Sequence, residues 1–481
     1  MPSIKAEIAK GVFWTAVAKY SGLFISLGVT SVLARNVSPS AFGTMAIATV
    51  ITAFLDIFVN AGIGTAIVQF KNLSKRQINT LFLLGGLLGL FFGGILFFTS
   101  NLISEYYEDE QLINICRLLC VCMFFNALNI VPNGLMMKAK RFKTVAIRTL
   151  IFQVLSGTAA VLAALNGWGI YALIISPIFT AIGVFCFNFY NYPQRLYIKM
   201  DWTAVRMVWS YSSFQFLSYF ANYFSRNIDK LIIGKYFSLS ELGYYEKSYR
   251  LMQLPLQNIT YVISPVLHPV LSSLQDQKSE LGIKNRRLTE LLSQISFPLG
   301  IALYFCAYEI VMILFGHNWE AAVPIFQILS WSVPFQMILS TSGALYQAAG
   351  KTNHMFFVGI INTIVTVLGF IIAARCFKTL DAMAWAWDIT LIINFVNSYL
   401  AMNKFTFGYS ARKFFSTLIP QLINSAVTLV VSFLLIHLFS IHSLVVGLIY
   451  KLVVVGSMTI IMATILRQYN IIKIISHLFS R

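Results

Sequence analysis

The chain has 481 residues, 58% of them hydrophobic and only 11% charged, with a formal net charge of +18. About a quarter of the residues of a soluble domain are charged, so this composition excludes an ordinary soluble protein. The positive excess raises nucleic acid as a partner, but the placement of the charges, set out below, argues against it.

A helical membrane span needs about 20 apolar residues. Fourteen runs meet that length, at 11–34, 42–69, 78–103, 112–137, 144–165, 168–190, 207–234, 243–271, 291–315, 321–348, 353–374, 380–403, 415–438 and 443–466. Continuous runs this long exclude a membrane β-barrel, whose strands alternate. The expected fold is an all-α integral membrane protein of about fourteen transmembrane helices.

In chain order, residues 3–10 read as a short amphipathic lead-in on the inner surface. The first span contains Lys19 and lacks a convincing cleavage site, so it reads as a retained span rather than a signal peptide. A turn over 36–40 follows, with Ser38 or Ser40 able to cap the second span. That span carries Asp56, which needs a partner or water in a bilayer, and Lys19 is the evident candidate. An acidic run, Glu105 to Glu110, separates the third and fourth spans.

With the N-terminus placed inside, 24 Lys and Arg fall in or near cytoplasmic loops and four fall outside, Arg35, Lys235, Arg375 and Lys378. This positive-inside bias sets both termini in the cytoplasm and assigns the basic loops to topology and lipid headgroups. The loops at 190–206 and 272–290 are the longest polar connections, and both are too short for a soluble domain. The six cysteines lie in or near apolar segments without metal or disulfide spacing, and the six histidines are scattered. No phosphate-binding loop or catalytic triad can be assembled, so neither a cofactor nor a metal is expected.

The stretch 222–250 is the most polar apolar-flanked segment of the chain. Arg226, Asp229 and Lys230 share one helical face, as do Glu246, Lys247 and Arg250 one helix later. The stretch holds five positive against three negative side chains, and unpaired charge in a bilayer is costly. Two readings follow. The charges pair to fix helix register, or they line a cationic, water-filled cavity suited to phosphate oxygens. The cavity set is Lys19, Arg226, Lys230, Lys247 and Arg250, with Asp56, Asp229 and Glu246 as coupling or pairing carboxylates. For Arg117, Glu309, Asp388 and Lys451, structural pairing is the favoured reading. Tyr211, Tyr219, Tyr223, Tyr244, Tyr245 and Tyr249 crowd the same helices, as sugar-stacking rings or an interfacial belt.

An internal repeat links 33–43 to 233–243 at an offset of 200, matching basic, serine and glycine positions, with a weaker echo between 134–139 and 343–348. Six spans separate the copies, so the repeat is parallel about an axis along the membrane normal. The expected layout is two pseudo-symmetric six-helix bundles, 1–200 and 201–410, and two additional helices with a cytoplasmic tail over 411–481.

The ordered set Gly11-Val-Phe-Trp14, Val32-Leu-Ala-Arg35, Ser38-Pro-Ser-Ala-Phe-Gly43, Asp229-Lys-Leu-Ile-Ile-Gly234, Leu242-Gly-Tyr-Tyr245, Leu314-Phe-Gly-His-Asn-Trp319 and Gly350-Lys-Thr-Asn353 resembles the polysaccharide transporter family. The likeness is to its Wzx-type and teichuronic-acid-exporter-like flippases, in the multidrug/oligosaccharidyl-lipid/polysaccharide superfamily, and runs from about residue 8 to about 410. It implies two bundles in a V, alternating access, and a polyprenyl-diphosphate-linked oligosaccharide moved across the bacterial inner membrane. Partners so implied are that lipid-linked substrate, membrane lipids, and a polysaccharide polymerase or chain-length regulator, with no nucleic acid. A related cationic lumen maps onto Lys19, Arg226, Lys230, Lys247 and Arg250 by location. The protein is expected to break no covalent bond and so not to be an enzyme. The rivals are an ion-coupled multidrug antiporter of the same superfamily, which would favour an acidic lumen, a membrane glycosyltransferase or polymerase, which would need larger outside loops, and a non-transporting scaffold.

Overall fold

The computed structural model describes residues 4–60, 62–70, 72–195, 200–206, 223, 226–260, 267, 271–272, 274–275, 277–439 and 441–466. These residues are overwhelmingly helical, and no strand occurs among them. Ten of the helices are long and apolar enough to cross a membrane, or eleven if the bent pair Ala322–Ser330 and Val333–Ala348 is one crossing. The all-helical membrane class therefore holds, with ten to eleven apolar spans among the described residues. The span expected over 207–234 lies mostly outside those residues, as does the latter part of 243–271. The chain divides into two compact units, Met1–Gly243 and Tyr244–Arg481.

The first unit contains α1 (Ile4–Asn36), α2 (Pro39–Asn60), the short α3 (Ile63–Gln69), α4 (Lys75–Tyr107), α5 (Gln111–Lys138), α6 (Phe142–Leu165) and α7 (Tyr171–Asn191). A helix over 226–236, here α8, and the start of α9 (Leu239–Pro255) complete it. The expected lead-in is continuous with the first span, since α1 runs unbroken from Ile4. The start of α4 is fixed by a capping box. The Ser74 hydroxyl accepts from Gln77 N–H, and the Ser74 N–H donates to the Gln77 side chain.

Packing in this unit depends on small residues, because lipid offers no hydrophobic drive to bring helices together. Gly85, Gly89 and Gly93 lie four residues apart on α4 and face α5. A Cβ on Gly89 would lie 2.6 Å from the Ala127 Cβ, so only glycine permits this approach. The Cys120 thiol donates to Gly93 O at 3.1 Å across the same seam. On the other side α6 packs on α1, where Gln153 Nε2 donates to Gly22 O at 2.7 Å and Gly157 accommodates Val29.

The second unit contains the rest of α9, a π-helical turn at Leu256–Thr260 after Pro255, α10 (Lys278–Phe305), α11 (Ala307–Leu314), α12 (Ala322–Ser330), α13 (Val333–Leu339), α14 (Ser342–Ala348), α15 (Thr352–Ile372), α16 (Leu380–Ala401), α17 (Ala411–Ser416), α18 (Ile419–Leu438) and α19 (Leu444–Ile465). The polar stretch expected as a loop up to residue 290 is helical from Lys278. Glu280 and Lys284 pair along it at 3.8 Å, while Leu281 and Asn285 are buried, so it continues the span rather than connecting to it. The single span expected over 321–348 is broken, with a bend of 49°.

Aromatic and amide groups hold this unit together. Tyr399 stacks on Phe414 at 4.6 Å and donates to Ile338 O at 2.8 Å. Between α15 and α16, Asn397 donates to Asn362 (2.8 Å), Asn362 to Ser398 (2.9 Å) and Asn394 to Thr366 (2.9 Å). The two C-terminal helices α18 and α19 pack on each other and on α10.

Candidate functional site

The segment that carries the most charge is built by two equivalent helix junctions. α1 ends at Asn36 and α2 begins at Pro39; α8 ends at 236 and α9 begins at Leu239. Val37 N–H donates to Leu33 O and Phe237 N–H donates to Ile233 O, both at 2.9 Å. The Ser38 hydroxyl accepts from Ala41 N–H, and the Ser238 hydroxyl accepts from Glu241 N–H. The Glu241 carboxylate returns the bond to Ser238 N–H at 2.9 Å, closing a capping box. Gly43 and Gly243 face the opposite junction reciprocally: a Cβ on Gly43 would meet Leu239 O, and one on Gly243 would meet Pro39 O. The residues that matched at an offset of 200 thus end one helix and start the next at equivalent positions, each with a serine hydroxyl accepting from the N–H three residues on, while the reciprocal capping box forms only at Ser238.

Five of the eight sequence-predicted site residues lie in the first unit. Lys19 is half-buried on α1 and Asp56 is half-buried on α2. Arg226 is exposed at the described start of α8, Asp229 is fully buried, and Lys230 is half-buried. Asp229 Oδ1 accepts from Lys230 N–H at 2.8 Å. The expected pairing of Lys19 with Asp56 does not form, since Asp56 makes no ion pair among the described residues and α1 packs on α6. The other three, Glu246, Lys247 and Arg250, lie on α9 in the second unit. Lys247 is only 4% exposed, with Glu246 and Arg250 as charged neighbours on its own helix, and Arg250 is exposed.

The tyrosines sort differently from either sequence reading. Tyr223, Tyr245 and Tyr249 are buried in protein, not displayed in an interfacial belt. Tyr223 donates to Val50 O, while Tyr249 stacks beside Tyr245 and packs edge-on against Trp387 at 5.1 Å. Tyr211 and Tyr219 lie outside the described residues.

Of the four charges read as structural pairs, Glu309 and Lys451 form an ion pair, while Arg117 and Asp388 form none among the described residues. Lys451 Nζ on α19 lies 2.6 Å from Glu309 Oε1 on α11 and also donates to Phe305 O. Arg117 sits over the Phe97 ring at 5.0 Å. Asp388 is buried on α16, and neither of its carboxylate oxygens has a hydrogen-bond partner among the described residues. Sequence reasoning missed one buried cation. Arg148, counted among the cytoplasmic-side basic residues, is 6% exposed and donates to Asn133 at 3.2 Å and Asn188 at 2.5 Å. Asn188 in turn donates to Asn129 at 2.7 Å, so two asparagines, one from α5 and one from α7, hold one arginine of α6, and a second asparagine of α5 orients Asn188. The groups come from three successive helices, and nothing in the local pattern around Arg148 marks the site. No cluster able to hold a metal occurs among the described residues.

Residues 32–324, more than half of the chain, match the model of the family described as polysaccharide biosynthesis protein. The chain belongs to the polysaccharide biosynthesis protein family. The resemblance read from the ordered motifs therefore holds. Among relatives, the teichuronic acid biosynthesis protein TuaB of Bacillus subtilis (strain 168) is 24% identical over 434 residues, covering 89% of each chain. The lipopolysaccharide biosynthesis protein WzxC of Escherichia coli (strain K12) is 24% identical over 450 residues, covering 90% of this chain and 88% of the relative. Among solved structures, the lipid II flippase MurJ in an inward closed conformation superposes with a TM-score of 0.75 at 15% identity, over 94% of this chain and 98% of that one. This family member therefore shares the fold of a membrane transporter along nearly its whole length.

Proposed function

We propose that this protein is a flippase that carries a polyprenyl-diphosphate-linked oligosaccharide across the bacterial inner membrane. The observation that carries the reading is that the family match falls on a chain made almost wholly of membrane-length helices. No soluble domain in which sugars could be assembled occurs among the described residues, which supports movement of the product as the chain's contribution to polysaccharide biosynthesis. It breaks no covalent bond.

In this reading the chain has fourteen spans, with both termini cytoplasmic. Residues 1–200 and 201–410 form two bundles, and 411–481 adds two helices and a tail. The matched junctions at 33–43 and 233–243 support the repeat, and alternating access is then rocking of one bundle against the other. Arg226, Lys230, Lys247, Arg250 and Lys19 hold the diphosphate, to which guanidinium and ammonium groups are suited. Asp56, Asp229 and Glu246 pair with them or couple transport to an ion. The positive surplus over 222–250 supports this assignment, because a diphosphate offsets charge that a bilayer otherwise penalises. It also disfavours a cation-exporting antiporter.

The test is made in cells that assemble the polysaccharide. Removing the protein is expected to abolish surface polysaccharide while the lipid-linked unit persists in the membrane. Loss of the lipid-linked unit itself would mean that the protein makes it rather than moves it.

A further inference from the structure

One cavity within the first unit lies away from the residues discussed above. It has a volume of about 850 Å³. It is lined by the first turn of α4 (Lys75, Arg76 and the buried Asn79), by Leu135 near the end of α5, and by the strand of chain after α7 that carries Tyr192 and Arg195. Its volume falls within the range of about 300–1,000 Å³ typical of ligand pockets.

Three observations point to an anion. The first turn of α4 carries Lys75 and Arg76 and no acidic residue, which opposes the positive end of a 33-residue helix dipole. Neither cation, nor Arg195, has an ion-pair partner among the described residues. Asp201 lies near Arg76, but its carboxylate is held below the usual range chiefly by the Thr203 hydroxyl, with Arg76 contributing less. Finally, Asn79 is 7% exposed, its Oδ1 accepts from Arg195 N–H at 3.0 Å, and its Nδ2 has no hydrogen-bond partner among the described residues. The free amide N–H₂ of a buried asparagine and three exposed cations without an ion-pair partner among the described residues therefore border one cavity. A loop that served topology alone would need only the charge count, without a cavity or a buried donor.

We propose that this cavity binds the phosphate group of a lipid headgroup. The ammonium of Lys75 and the guanidiniums of Arg76 and Arg195 neutralise the phosphate, and Asn79 Nδ2 donates to one of its oxygens. The acyl or prenyl chain remains outside against the apolar helix surfaces. A resident anionic phospholipid and a polyprenyl diphosphate share this chemistry. The inference is independent of the transport reading, since either lipid can occupy the site in a protein that moves nothing.

Native mass spectrometry of the purified full-length protein tests it, with phosphatidylglycerol, polyprenyl diphosphate and diacylglycerol as probes. The double variant Arg76→Gln/Arg195→Gln is expected to bind the phosphate lipids at least about tenfold more weakly, the size of one charge-assisted hydrogen bond. Diacylglycerol binding stays unchanged. Leu135→Trp keeps every charge and fills the cavity, and the same loss is expected. Arg412→Gln/Lys413→Gln removes as much charge from exposed positions of the second unit and is expected to bind as wild type. Selective loss of phosphatidylglycerol identifies a resident lipid, and selective loss of polyprenyl diphosphate identifies a docking site for the lipid-linked unit. Wild-type binding by both cavity variants, or equal weakening in the control pair, overturns the proposal.

Discussion

At the scale of single residues, the charges carried by the helices separate into those held within one unit and those assigned to substrate. Glu309 and Lys451 belong to the first group. Their contact at 2.6 Å joins α11 to α19, so removing one partner strands the other in a low-dielectric site. Lys451→Met alone is expected to destabilise the protein by about 3 kcal/mol, and adding Glu309→Leu to recover part of that loss. Thermal unfolding of the solubilised variants measures both; strictly additive losses would mean that the pair is incidental. Arg250 belongs to the second group in our reading. Arg250→Gln is expected to abolish transport and Arg250→Lys to reduce it partly, because Lys keeps the charge without the two-pronged geometry. Both variants should reach the membrane at normal levels. Wild-type export by Arg250→Gln and Arg226→Gln would end the cationic-site assignment, and absence of both from the membrane would make the charges structural. Sequence alone located these charges but could not pair them. Lys19 and Asp56 were matched on the condition that the first two spans pack together, and they do not pair, whereas Arg148 found its partners on α5 and α7, the helices before and after its own.

At the scale of elements, apolar length was a reliable guide and bends were not. The spans over 78–103, 112–137, 144–165 and 168–190 correspond to α4 through α7, because a 20-residue apolar run in lipid has few alternatives to a helix. The break within 321–348 was not legible. It falls at Trp331 and Ser332, just before Pro334 in the first turn of α13, within a run long and apolar enough on average to read as one span. Glycine placement is where element and stability meet. Gly89→Leu is expected to cost about 1–3 kcal/mol or more through forced separation of α4 and α5. Gly94→Leu, with nothing within 4 Å of its Cβ position, should be close to neutral. Melting temperatures of the two variants compare them directly, and equal effects would mean that the glycine seam does not govern this packing.

At the scale of the whole molecule, the repeat was the most informative feature of the sequence. Its local signature, serine caps and facing glycines at an offset of 200, recurs in the backbone of both junctions. A short motif could reveal it because capping and close approach each demand particular residue types. The charge asymmetry makes a second whole-molecule statement. Reporter fusions near Gln277 and after Arg412 are expected to read as cytoplasmic. An external signal at both would invert the topology and remove the parallel-repeat argument. What the sequence did not carry is the glycan, since no side-chain pattern encodes it.

The central claim is that the chain moves a lipid-linked oligosaccharide without altering it. It is tested most directly in proteoliposomes that contain the purified protein and a fluorescent polyprenyl-diphosphate oligosaccharide in one leaflet. Quenching by a membrane-impermeant reagent reports the labelled head group that has crossed, and mass analysis reports its covalent state. The account predicts crossing faster than in protein-free liposomes, slowed by Arg250→Gln, with the oligosaccharide unchanged in mass. No acceleration by the wild-type protein, or an oligosaccharide that has gained or lost a sugar, would contradict it.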